Sequence, residues 1–567
     1  MKLYFTADAK INPEHSLLFN KIAVDIRNVF TDNIDSLSRQ NKDSIDWWIS
    51  SPASRNIFAS PLFNYCCCLS LLQELINAKK HFTEIITDSR AFKKILENYL
   101  SERGVDAKVT LARLPVKQHL KELVRPIYTM FGIPLKQCVL FFIARQTRYL
   151  RKSPPSVPLT LIDIFVMPGY IEKDRYYPGL LDALSEKEKD AIWFVPHLYG
   201  FRMWQFMSVL IRLRKAETNF LLKDDFLKLG DYWCLWGHLF RIRNLKINPS
   251  FFRSVDISPL VSEELTGFRG IGSSYAPLLN FCFVKRLKQA GVNLRLVIDW
   301  FENQNFDKGW NGGFRRFFPG VEIRGYQGFV VTKHYLSLYP TKEEKKSEVI
   351  PHKILVVGRE LVEAAKEFCP ALDVKIGPAF RFQHVWLTRK YFPVRNEYTI
   401  LVALPIVIRE AIYILMLLAL DSKNSVGMRF LIKPHPATSK DSIKEAYGSR
   451  WPEQFEFVGG DFNDCVEKSD LLISNASSAC METLAKGIPV IIIGNSYGLT
   501  HNPVPETITD DIWQLCYSQE EINRAIQFYK NRGHDNIKEH EAIGRKIREG
   551  YFEPVTRVAV RKFLQLM

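Results

Sequence analysis

The chain has none of the short motifs that mark the commonest nucleotide-dependent enzymes. No Walker loop and no G-x-G-x-x-G follows a predicted strand, so ATP hydrolysis and hydride transfer lack their usual sequence support. The ten cysteines include no C-x-x-C pair, and three of them are adjacent at positions 66–68. Adjacent cysteines cannot all bridge one another without strain. The pattern therefore predicts buried, reduced thiols and no metal site.

Long apolar runs are also missing. The stretches 139–143 and 412–420 are apolar but well short of the ~20 residues that a bilayer-spanning helix needs. The first ten residues mix charge with apolar side chains too early for a secretory leader. We therefore expect a cytoplasmic protein. Its 567 residues exceed what one core usually holds, and an apolar content of 47% is enough to build two domains.

The strongest positive signal lies at residues 428–493, which predict two strand-loop-helix units. The first strand ends at K-P-H-P (433–436), and the second unit places S-N-A-S-S (474–478) between a strand and a helix that stops at Gly487. Short apolar runs bounded by turn residues are typical of buried parallel strands. Loops at neighbouring strand ends form a crevice, which is where open α/β sheets bind ligands.

Both loops carry residues that favour an anion. Ser477 and Ser478 stand at a helix start, where hydroxyls, free backbone N–H groups and the helix dipole suit a phosphate. Two prolines restrict the backbone around His435, and Lys433 adds a positive charge. Glu482 lies one helical turn further on, within reach of ribose hydroxyls. Each residue alone also fits a structural role as a cap, a turn residue or a solvated carboxylate, and only their combination favours a binding site.

These motifs resemble the donor-binding domain of GT-B glycosyltransferases, in particular the sialyl-, polysialyl- and Kdo-type enzymes that use CMP-activated sugars. The resemblance rests on the two loops and on the helix end E-x-L-A-x-G-x-P-V at 482–490. Further segments resemble a bacterial surface-carbohydrate (O-antigen or capsule) biosynthesis family related to Kdo transferases: G-Y-Q-G at 325–328, Y-L-S-L-Y-P at 335–340, G-P-A-F-R at 377–381 and E-N-Q at 302–304. The resemblance covers residues 45–510.

The resemblance implies an α/β protein of the GT-B type, with two Rossmann-like domains facing a cleft and a C-terminal helical segment packing back on the first domain. It implies transfer of an ulosonic acid, Kdo or a nonulosonic relative, from a CMP-sugar, with no cofactor. The D-x-D pattern of metal-dependent glycosyltransferases is missing, which fits a metal-independent reaction because one phosphate needs less neutralisation than two. The donor-side residues that it assigns are Lys433, His435, Pro436, Ser474, Asn475, Ser477, Ser478, Glu482, Gly377, Arg381 and Gln327.

The opposite wall of the cleft is expected to supply a catalytic carboxylate. Asp299 ends a predicted strand and Glu302 lies in the loop after it. Sugar transfer passes through an oxocarbenium-like state, so a carboxylate can act as general base or as nucleophile. Glu302 matches the family's acidic motif better, although it departs from the acidic-acidic-glycine form, and Asp299 equally fits a strand-end cap. Arg381 suits the donor's carboxylate or a structural ion pair.

The pattern along the chain predicts three regions. Predicted strands at 45–50, 84–88, 108–112, 159–167, 191–196 and 293–299 alternate with helices such as 91–102, which indicates a parallel sheet. The charged run 340–347 predicts a linker, and a second α/β pattern begins at 353. The predicted domains are 1–340 on the acceptor side, 348–525 for the CMP-sugar and 526–567 as C-terminal helices. The loop at 51–56 is predicted to face the cleft.

A net charge of +16 calls for an anionic partner or surface. The basic residues form no known reader motif, so no nucleic-acid partner is expected. Residues 117–152 and 201–246 carry aromatic and apolar side chains at helical spacing beside Lys and Arg, which fits an anionic membrane surface as well as an ordinary core. We expect peripheral attachment at the inner membrane, beside a lipid-linked or oligosaccharide acceptor.

Two other functions fit parts of the pattern. Polyol-phosphate transferases of the teichoic-acid type also carry a K-x-H-P loop and a serine cluster, but they usually add a histidine in a W-H-G setting that this chain lacks. A catalytically silent membrane scaffold is the alternative outside the enzymes, and the intact His435, Ser477, Ser478 and Glu302 argue against it. The sugar, the acceptor, the linkage and the anomeric outcome stay open.

Overall fold

The computed structural model describes residues 1–7, 11–113, 116–171, 174–387, 397–419, 427–448, 450–475, 477–532 and 537–567. Its strands are, in chain order, β1 (Lys2–Phe5), β2 (Glu84–Thr87), β3 (Lys108–Leu111), β4 (Leu159–Val166), β5 (Ile192–Leu198), β6 (Phe251–Phe252), β7 (Val255–Asp256), β8 (Leu294–Trp300), β9 (Glu322–Gln327), β10 (Lys353–Val356), β11 (Val374–Ile376), β12 (Tyr398–Ala403), β13 (Met428–Lys433), β14 (Phe455–Phe457), β15 (Leu471–Ser474), β16 (Val490–Ile493) and β17 (Trp513–Cys516).

The α-helices of the same residues are α1 (Ser16–Asp25), α2 (Arg27–Gln40), α3 (Ile45–Trp48), α4 (Ser51–Ser54), α5 (Leu62–Asn77), α6 (Arg90–Glu102), α7 (Val116–Ile127), α8 (Ile133–Gln146), α9 (Glu186–Asp190), α10 (Phe206–Lys215), α11 (Leu229–Arg241), α12 (Ser258–Thr266), α13 (Phe268–Gln289), α14 (Asn305–Phe317), α15 (Lys342–Lys346), α16 (Leu361–Ala365), α17 (Ile408–Ala419), α18 (Lys440–Tyr447), α19 (Phe462–Glu467), α20 (Ser478–Leu484), α21 (Gln519–Arg532), α22 (Ile537–Tyr551) and α23 (Arg557–Phe563).

Two six-stranded parallel sheets form the frame. The first has the strand order β11-β10-β9-β8-β4-β5 and the second has the order β14-β13-β12-β15-β16-β17. In the second sheet β16 is a continuous apolar run, Val490–Ile493, and is buried at all four positions. Such runs are typical of parallel strands covered by helices on both faces. The structure thus confirms the predicted α/β architecture of two Rossmann-like domains facing a cleft.

The C-terminal segment packs back on the first sheet, as predicted. The guanidinium of Arg324 on β9 donates to the backbone carbonyl oxygens of Lys562 and Phe563, at 2.7 Å each. The ring of Phe563 lies edge-on to that of Tyr326, with centroids 5.2 Å apart. Helix α23 therefore completes the apolar core beneath the first sheet.

The N-terminal strands differ in part from the prediction. Strands β2, β3, β4, β5 and β8 lie where the sequence predicts them. However, β2 and β3 pair with β1 in a separate three-stranded parallel sheet. The strand predicted at 45–50 is wrong, because this segment forms α3. The indole N–H groups of Trp47 and Trp48 donate to Ser38 and Lys42 nearby, and this packing against α2 overrides the strand-like composition.

The predicted linker and the start of the second α/β pattern also need correction. Residues 342–346 form α15, whose Glu344 is buried rather than solvated. Strands β10 and β11 extend the first sheet from β9, so the second sheet begins only at β12. Local patterning predicts where a strand lies but not which sheet it joins, since strand pairing is decided by tertiary contacts.

One long helix bears on the expectation that no segment is long and apolar enough to span a bilayer. Within the described residues, one helical stretch is long and apolar enough to cross a membrane, His119–Gln146, with 28 residues. It joins α7 to α8 through a π-helical segment, Tyr128–Gly132. The apolar side chains are spread over this stretch among polar ones, which is why no continuous apolar run marks it in the sequence.

The three adjacent cysteines lie buried in α5 as free thiols.

Candidate functional site

The loop after β13 holds His435 beside a large cavity. The backbone N–H of Ala437 donates to Nδ1 of His435 at 3.1 Å, which leaves Nε2 as the protonated nitrogen of a neutral ring. Burial and the nearby charge of Arg175 lower the pKa of His435, so the neutral form dominates at pH 7. His435 lines a cavity of about 840 Å³, here called the loop cavity, together with Asn475 and Ser477.

Three other predicted donor-side residues, which lie at or after the ends of β13 and β15, have less direct roles. The ammonium of Lys433 donates to the carbonyl oxygen of Gly460 at 2.7 Å, and Pro436 is exposed. Ser474 is buried, and its hydroxyl donates to the carbonyl oxygen of Ala403 at 2.9 Å. Lys433 and Ser474 therefore stabilise the strand ends that carry the loops.

The serine-rich loop turns into helix α20. Ser477 caps this helix, with its hydroxyl oxygen accepting from the backbone N–H of Ala479 at 3.4 Å. The side-chain amide of Asn475 donates to Glu410 at the start of α17, at 3.1 Å. Ser477 and Ser478 line a second cavity of about 350 Å³, here called the cleft cavity. Ser477 borders both cavities, so it marks the place where they meet.

Glu302 lies on the opposite wall of the cleft cavity, in the loop between β8 and α14. The indole N–H of Trp300 donates to Oε1 at 3.0 Å, and the side-chain amide of Gln304 donates to Oε2 at 2.5 Å. Asp307 accepts from the backbone N–H groups of Glu302 and Gln304 at 3.1 and 2.8 Å. These contacts fix a half-buried carboxylate across the cleft from the serine loop.

Asp299, the other predicted catalytic carboxylate, does not reach the cavity. It has no exposed surface, and its Oδ2 accepts from the amide of Asn311 at 2.5 Å. Burial and the charges of Asp307 and Asp163 raise the pKa of Asp299 well above its ordinary value. Its described partner is a side-chain amide, whereas the strand-end cap that the sequence left open would bind backbone N–H groups.

A chain of buried polar groups lies beneath the Glu302 loop, and sequence reasoning missed it. Asp163 on β4 accepts from the backbone N–H of Trp300 at 2.5 Å, and its Oδ2 lies 3.3 Å from Nε2 of His197. The ammonium of Lys223 donates to Nδ1 of His197 at 3.0 Å and to Asn280 at 2.7 Å. Asp163 and His197 interrupt otherwise apolar strands, a signal that the sequence does contain.

Arg381 lines the cleft cavity. It belongs to the 3₁₀ segment Phe380–Trp386, and its guanidinium lies 5.8 Å from the ring centroid of Trp300. It forms no ion pair with any residue of the described ranges. Burial and the charge of Arg175 lower the pKa of Arg381. Its geometry disfavours the alternative of a structural ion-pair partner.

Three predicted donor-side residues lie elsewhere or already have partners. Glu482 accepts from Nε2 of His384 at 2.9 Å. Gln327 is fully buried and donates to the carbonyl oxygen of Leu338 at 2.8 Å. Gly377 packs in the core, where an added Cβ would lie 3.2 Å from Leu355. The structure does not bring Gln327 or Gly377 to the cleft cavity, because their motifs serve the packing of the first sheet.

Aromatic and charged residues that the sequence did not assign to the site complete it. Phe58 and Tyr335 line both the loop cavity and the cleft cavity. Arg175 follows β4 and acts on both His435 and Arg381 through its charge. Phe58 and Arg175 lie outside the motifs, so local sequence carries no signal for them. Tyr335 opens the Y-L-S-L-Y-P segment at 335–340, but that motif did not assign it a role in the site. Among the described residues, no group of three or more His, Cys, Asp or Glu side chains is arranged to hold a metal ion.

Comparisons with known proteins find distant structural neighbours. No family model matches the sequence, and no curated protein matches it. A UDP-GlcNAc 2-epimerase from Neisseria meningitidis bound to UDP-GlcNAc is 12% identical with a TM-score of 0.39, covering 72% of this chain and 99% of that one. MurG from Acinetobacter baumannii is 11% identical with a TM-score of 0.38, covering 72% and 100%. Similarity this distant does not carry over the substrates of those proteins to this chain.

Proposed function

We propose that the protein is a glycosyltransferase that moves an ulosonic acid, Kdo or a nonulosonic relative, from a CMP-sugar to a surface glycan, without a metal ion. The observation that carries the proposal is the cleft cavity. Glu302 and Arg381 from the first domain and Ser477 and Ser478 from the second line this one cavity of about 350 Å³. A donor phosphate and a candidate base thereby face each other across the space in which a sugar must react.

Each group has a role that follows from its chemistry. The hydroxyls of Ser477 and Ser478 and the protonated Nε2 of His435 donate to a phosphate without adding a full positive charge. The guanidinium of Arg381 lies 5.8 Å from the ring centroid of Trp300 and forms no ion pair with an acidic side chain of the described residues. Its planar, bidentate donor geometry matches a sugar carboxylate. Glu302 accepts the proton of the acceptor hydroxyl as the oxocarbenium-like transition state develops.

The first test of this proposal is nucleotide binding. CMP should raise the melting temperature more than CDP, UDP or GDP in buffer containing EDTA, because stabilisation grows as RT ln(1 + [L]/Kd). His435→Ala should remove most of the CMP shift and leave the unliganded melting temperature unchanged, since His435 is a loop residue. The matched control is His81→Ala, an exposed histidine far from the loop in sequence and outside the cavities described above. Equal shifts with UDP, or a strict need for magnesium, would contradict the donor assignment.

We also propose that the protein docks on an anionic membrane at the inner-membrane surface, through an exposed apolar stripe. Five side chains on α7 and its continuation lie at spacings of three and four residues and are 55–67% exposed, Leu120, Leu123, Ile127, Phe131 and Leu135. Trp233 and Phe240 on α11 are 68% and 67% exposed. The indole N–H of Trp236 ties α11 to the backbone of Met130 at 2.6 Å.

The charges beside this stripe support membrane attachment over ordinary core packing. Lys121 is exposed, and Lys136 lies half-buried next to Phe206. An apolar stripe flanked by cations is typical of helices that lie in the interface of an anionic bilayer. A lipid-linked acceptor would then meet the cleft at the membrane surface.

A further inference from the structure

A third cavity adjoins the two already described. Its volume is about 480 Å³, its wall includes Asn64, Glu263 and Glu264, and it is here called the acid-lined cavity. Phe58 lines this cavity, the loop cavity and the cleft cavity. The three spaces therefore meet at one aromatic ring, and a molecule in the acid-lined cavity lies next to the group transferred in the cleft.

Phe58 is exposed although its backbone is held in place. Its side chain is 66% exposed, while its backbone N–H donates to the side-chain oxygen of Asn56 at 3.0 Å. The edges of Tyr335 and His501 support the ring, with centroid distances of 4.9 and 5.3 Å. An aromatic face that is already ordered loses little conformational entropy when a ligand covers it.

Polar groups without partners line the same cavity. Asn64 is 8% exposed, and its amide donates to the carbonyl oxygen of Ala7 at 3.0 Å, but its Oδ1 has no partner among the described residues. Glu264 accepts from Ser60 at 2.8 Å through one oxygen only. Buried polar atoms in native proteins are normally paired, so these oxygens call for a ligand that donates hydrogen bonds.

The charge of the cavity wall narrows the class of ligand. Glu263, Glu264 and Glu410 line it, and its cation, Arg269, lies 3.4 Å from the carboxylate of Glu122. Carboxylates accept hydrogen bonds from hydroxyl groups and repel anions. Burial raises the pKa of Glu264 to about 7, so at neutral pH this group is partly protonated and adds only part of a negative charge to the wall. The wall therefore suits a hydroxyl-rich, uncharged molecule.

We propose that the acid-lined cavity is the acceptor subsite, and that Phe58 is the platform on which a neutral sugar ring of the acceptor stacks. This inference rests on the proposed function, because a transferase needs a second sugar beside its donor. The subsite would admit a neutral pyranose and exclude an acidic one. A glycan that already ends in the acidic sugar would then bind poorly, so the enzyme would add one residue and stop.

Saturation-transfer difference NMR on the full chain tests the subsite with defined probes. Methyl β-D-galactopyranoside and methyl N-acetyl-β-D-glucosaminide serve as neutral rings, and methyl β-D-glucuronide serves as the acidic one. At least one neutral glycoside should bind, and the glucuronide should bind more weakly by about tenfold or more, given the carboxylates of the wall. Phe58→Ala should weaken neutral binding by about tenfold, because the apolar and aromatic contact is lost.

Two further variants make the result specific. Phe58→Trp keeps an aromatic face and should retain binding, whereas Phe251→Ala removes a phenylalanine of matched exposure, 62%, outside the three cavities and should change nothing. Unchanged binding in Phe58→Ala, equal binding of the glucuronide, or no neutral binding would each overturn the subsite. A thermal shift with CMP but no glycoside binding would contradict the proposed acceptor subsite and still support the donor site. Glycoside binding without a thermal shift by CMP would contradict the donor assignment instead.

Discussion

At the scale of single residues, the site depends on which carboxylate faces the cleft. Glu302 and Asp299 are three positions apart, yet Glu302 lines the cleft cavity and Asp299 has no exposed surface. Trp300 and Gln304 donate to the two oxygens of Glu302, which orients the carboxylate without neutralising its charge. A base held in this way can act on an acceptor hydroxyl with little reorganisation.

Substitution of the two carboxylates separates their roles. Glu302→Gln keeps the shape but cannot accept a proton, so turnover should fall by ~10² or more while the CMP-induced thermal shift is unchanged. Asp299→Asn changes a buried group that does not line the cleft cavity and should keep at least a large part of the activity. A Glu302→Gln enzyme with parental turnover, or an inactive Asp299→Asn enzyme that folds normally, would reverse this assignment.

The buried carboxyl of Asp163 should make stability depend on pH. Burial raises the pKa of Asp163 from 3.8 to about 7, so the folded state binds more protons than the unfolded state between these values. The free energy of unfolding should therefore fall as pH rises through this window, by up to about 1.4 kcal/mol per pH unit. Burial lowers the pKa of Lys223 to about 8. Lys223 therefore makes the free energy of unfolding rise with pH, but only above that pH.

Denaturation in urea between pH 4.5 and 7.5 measures this slope. In Asp163→Asn the group no longer titrates, so the variant's unfolding free energy should vary less steeply with pH than the parent's. The same slope in both proteins would show that Asp163 is ionised in the folded state across the whole window.

At the scale of elements, a buried ion cluster ties together the segments that carry the first-domain side of the site. Arg55 follows α4 with a φ of 54°, and its guanidinium donates to backbone carbonyl oxygens at Leu336 and Tyr339, both at 3.0 Å. Glu344 on α15 pairs with Arg55 at 3.1 Å and with Lys308 at 2.8 Å. The loop near Phe58 and the helix after Glu302 are thus fixed to one carboxylate.

Removal of the negative charge of Glu344 should lower the free energy of unfolding. Burial alone would raise its pKa, but the charges of Lys308 and Arg55 hold the pKa of Glu344 at about 2, so it is ionised at pH 7. Glu344→Gln leaves two buried cations without their counter-charge and should destabilise the protein by ~3–5 kcal/mol. Glu348→Gln, an exposed change four positions away, should alter stability by less than ~0.5 kcal/mol. Urea denaturation compares the two, and similar costs would mean that the cluster is not electrostatically coupled.

At the scale of the whole molecule, the exposed stripe on α7 and the positive charge should act together in membrane attachment. The protein should sediment with vesicles containing anionic lipid and be released as salt rises, because charge attraction is screened over roughly 10 Å at 0.1 M salt. Leu123→Asp with Ile127→Asp should abolish sedimentation. Leu17→Asp, on an equally exposed site of α1, should not.

The structure also decides which cations are suitable for a charge test. Arg214 is buried and pairs with Asp225 at 2.8 Å, so its reversal would disturb folding rather than docking. Lys121→Glu with Lys136→Glu changes charge beside the stripe instead and should lower the salt concentration at which the protein is released. Equal sedimentation with neutral and anionic vesicles would contradict docking through an anionic surface.

The sequence by itself determined the features of this protein that depend on interactions between near neighbours in the chain. Apolar runs between turn residues located β4, β5, β8, β13 and β16, and the chemistry of the K-P-H-P and serine loops located a candidate anion site. These patterns can be recognised without knowledge of the fold, because strand formation, helix capping and backbone restriction depend on residues close together in the chain. The two-domain architecture followed from their alternation.

The tertiary structure alone decided the rest. In the tertiary structure β10 and β11 belong to the first sheet, and Gln327 and Gly377 lie outside the cleft cavity. Asp299 is buried, whereas Glu302 lines the cleft cavity. It also brought Phe58 to the meeting point of three cavities. Strand pairing, burial and cavity shape depend on residues hundreds of positions apart in the chain, so no local pattern encodes them.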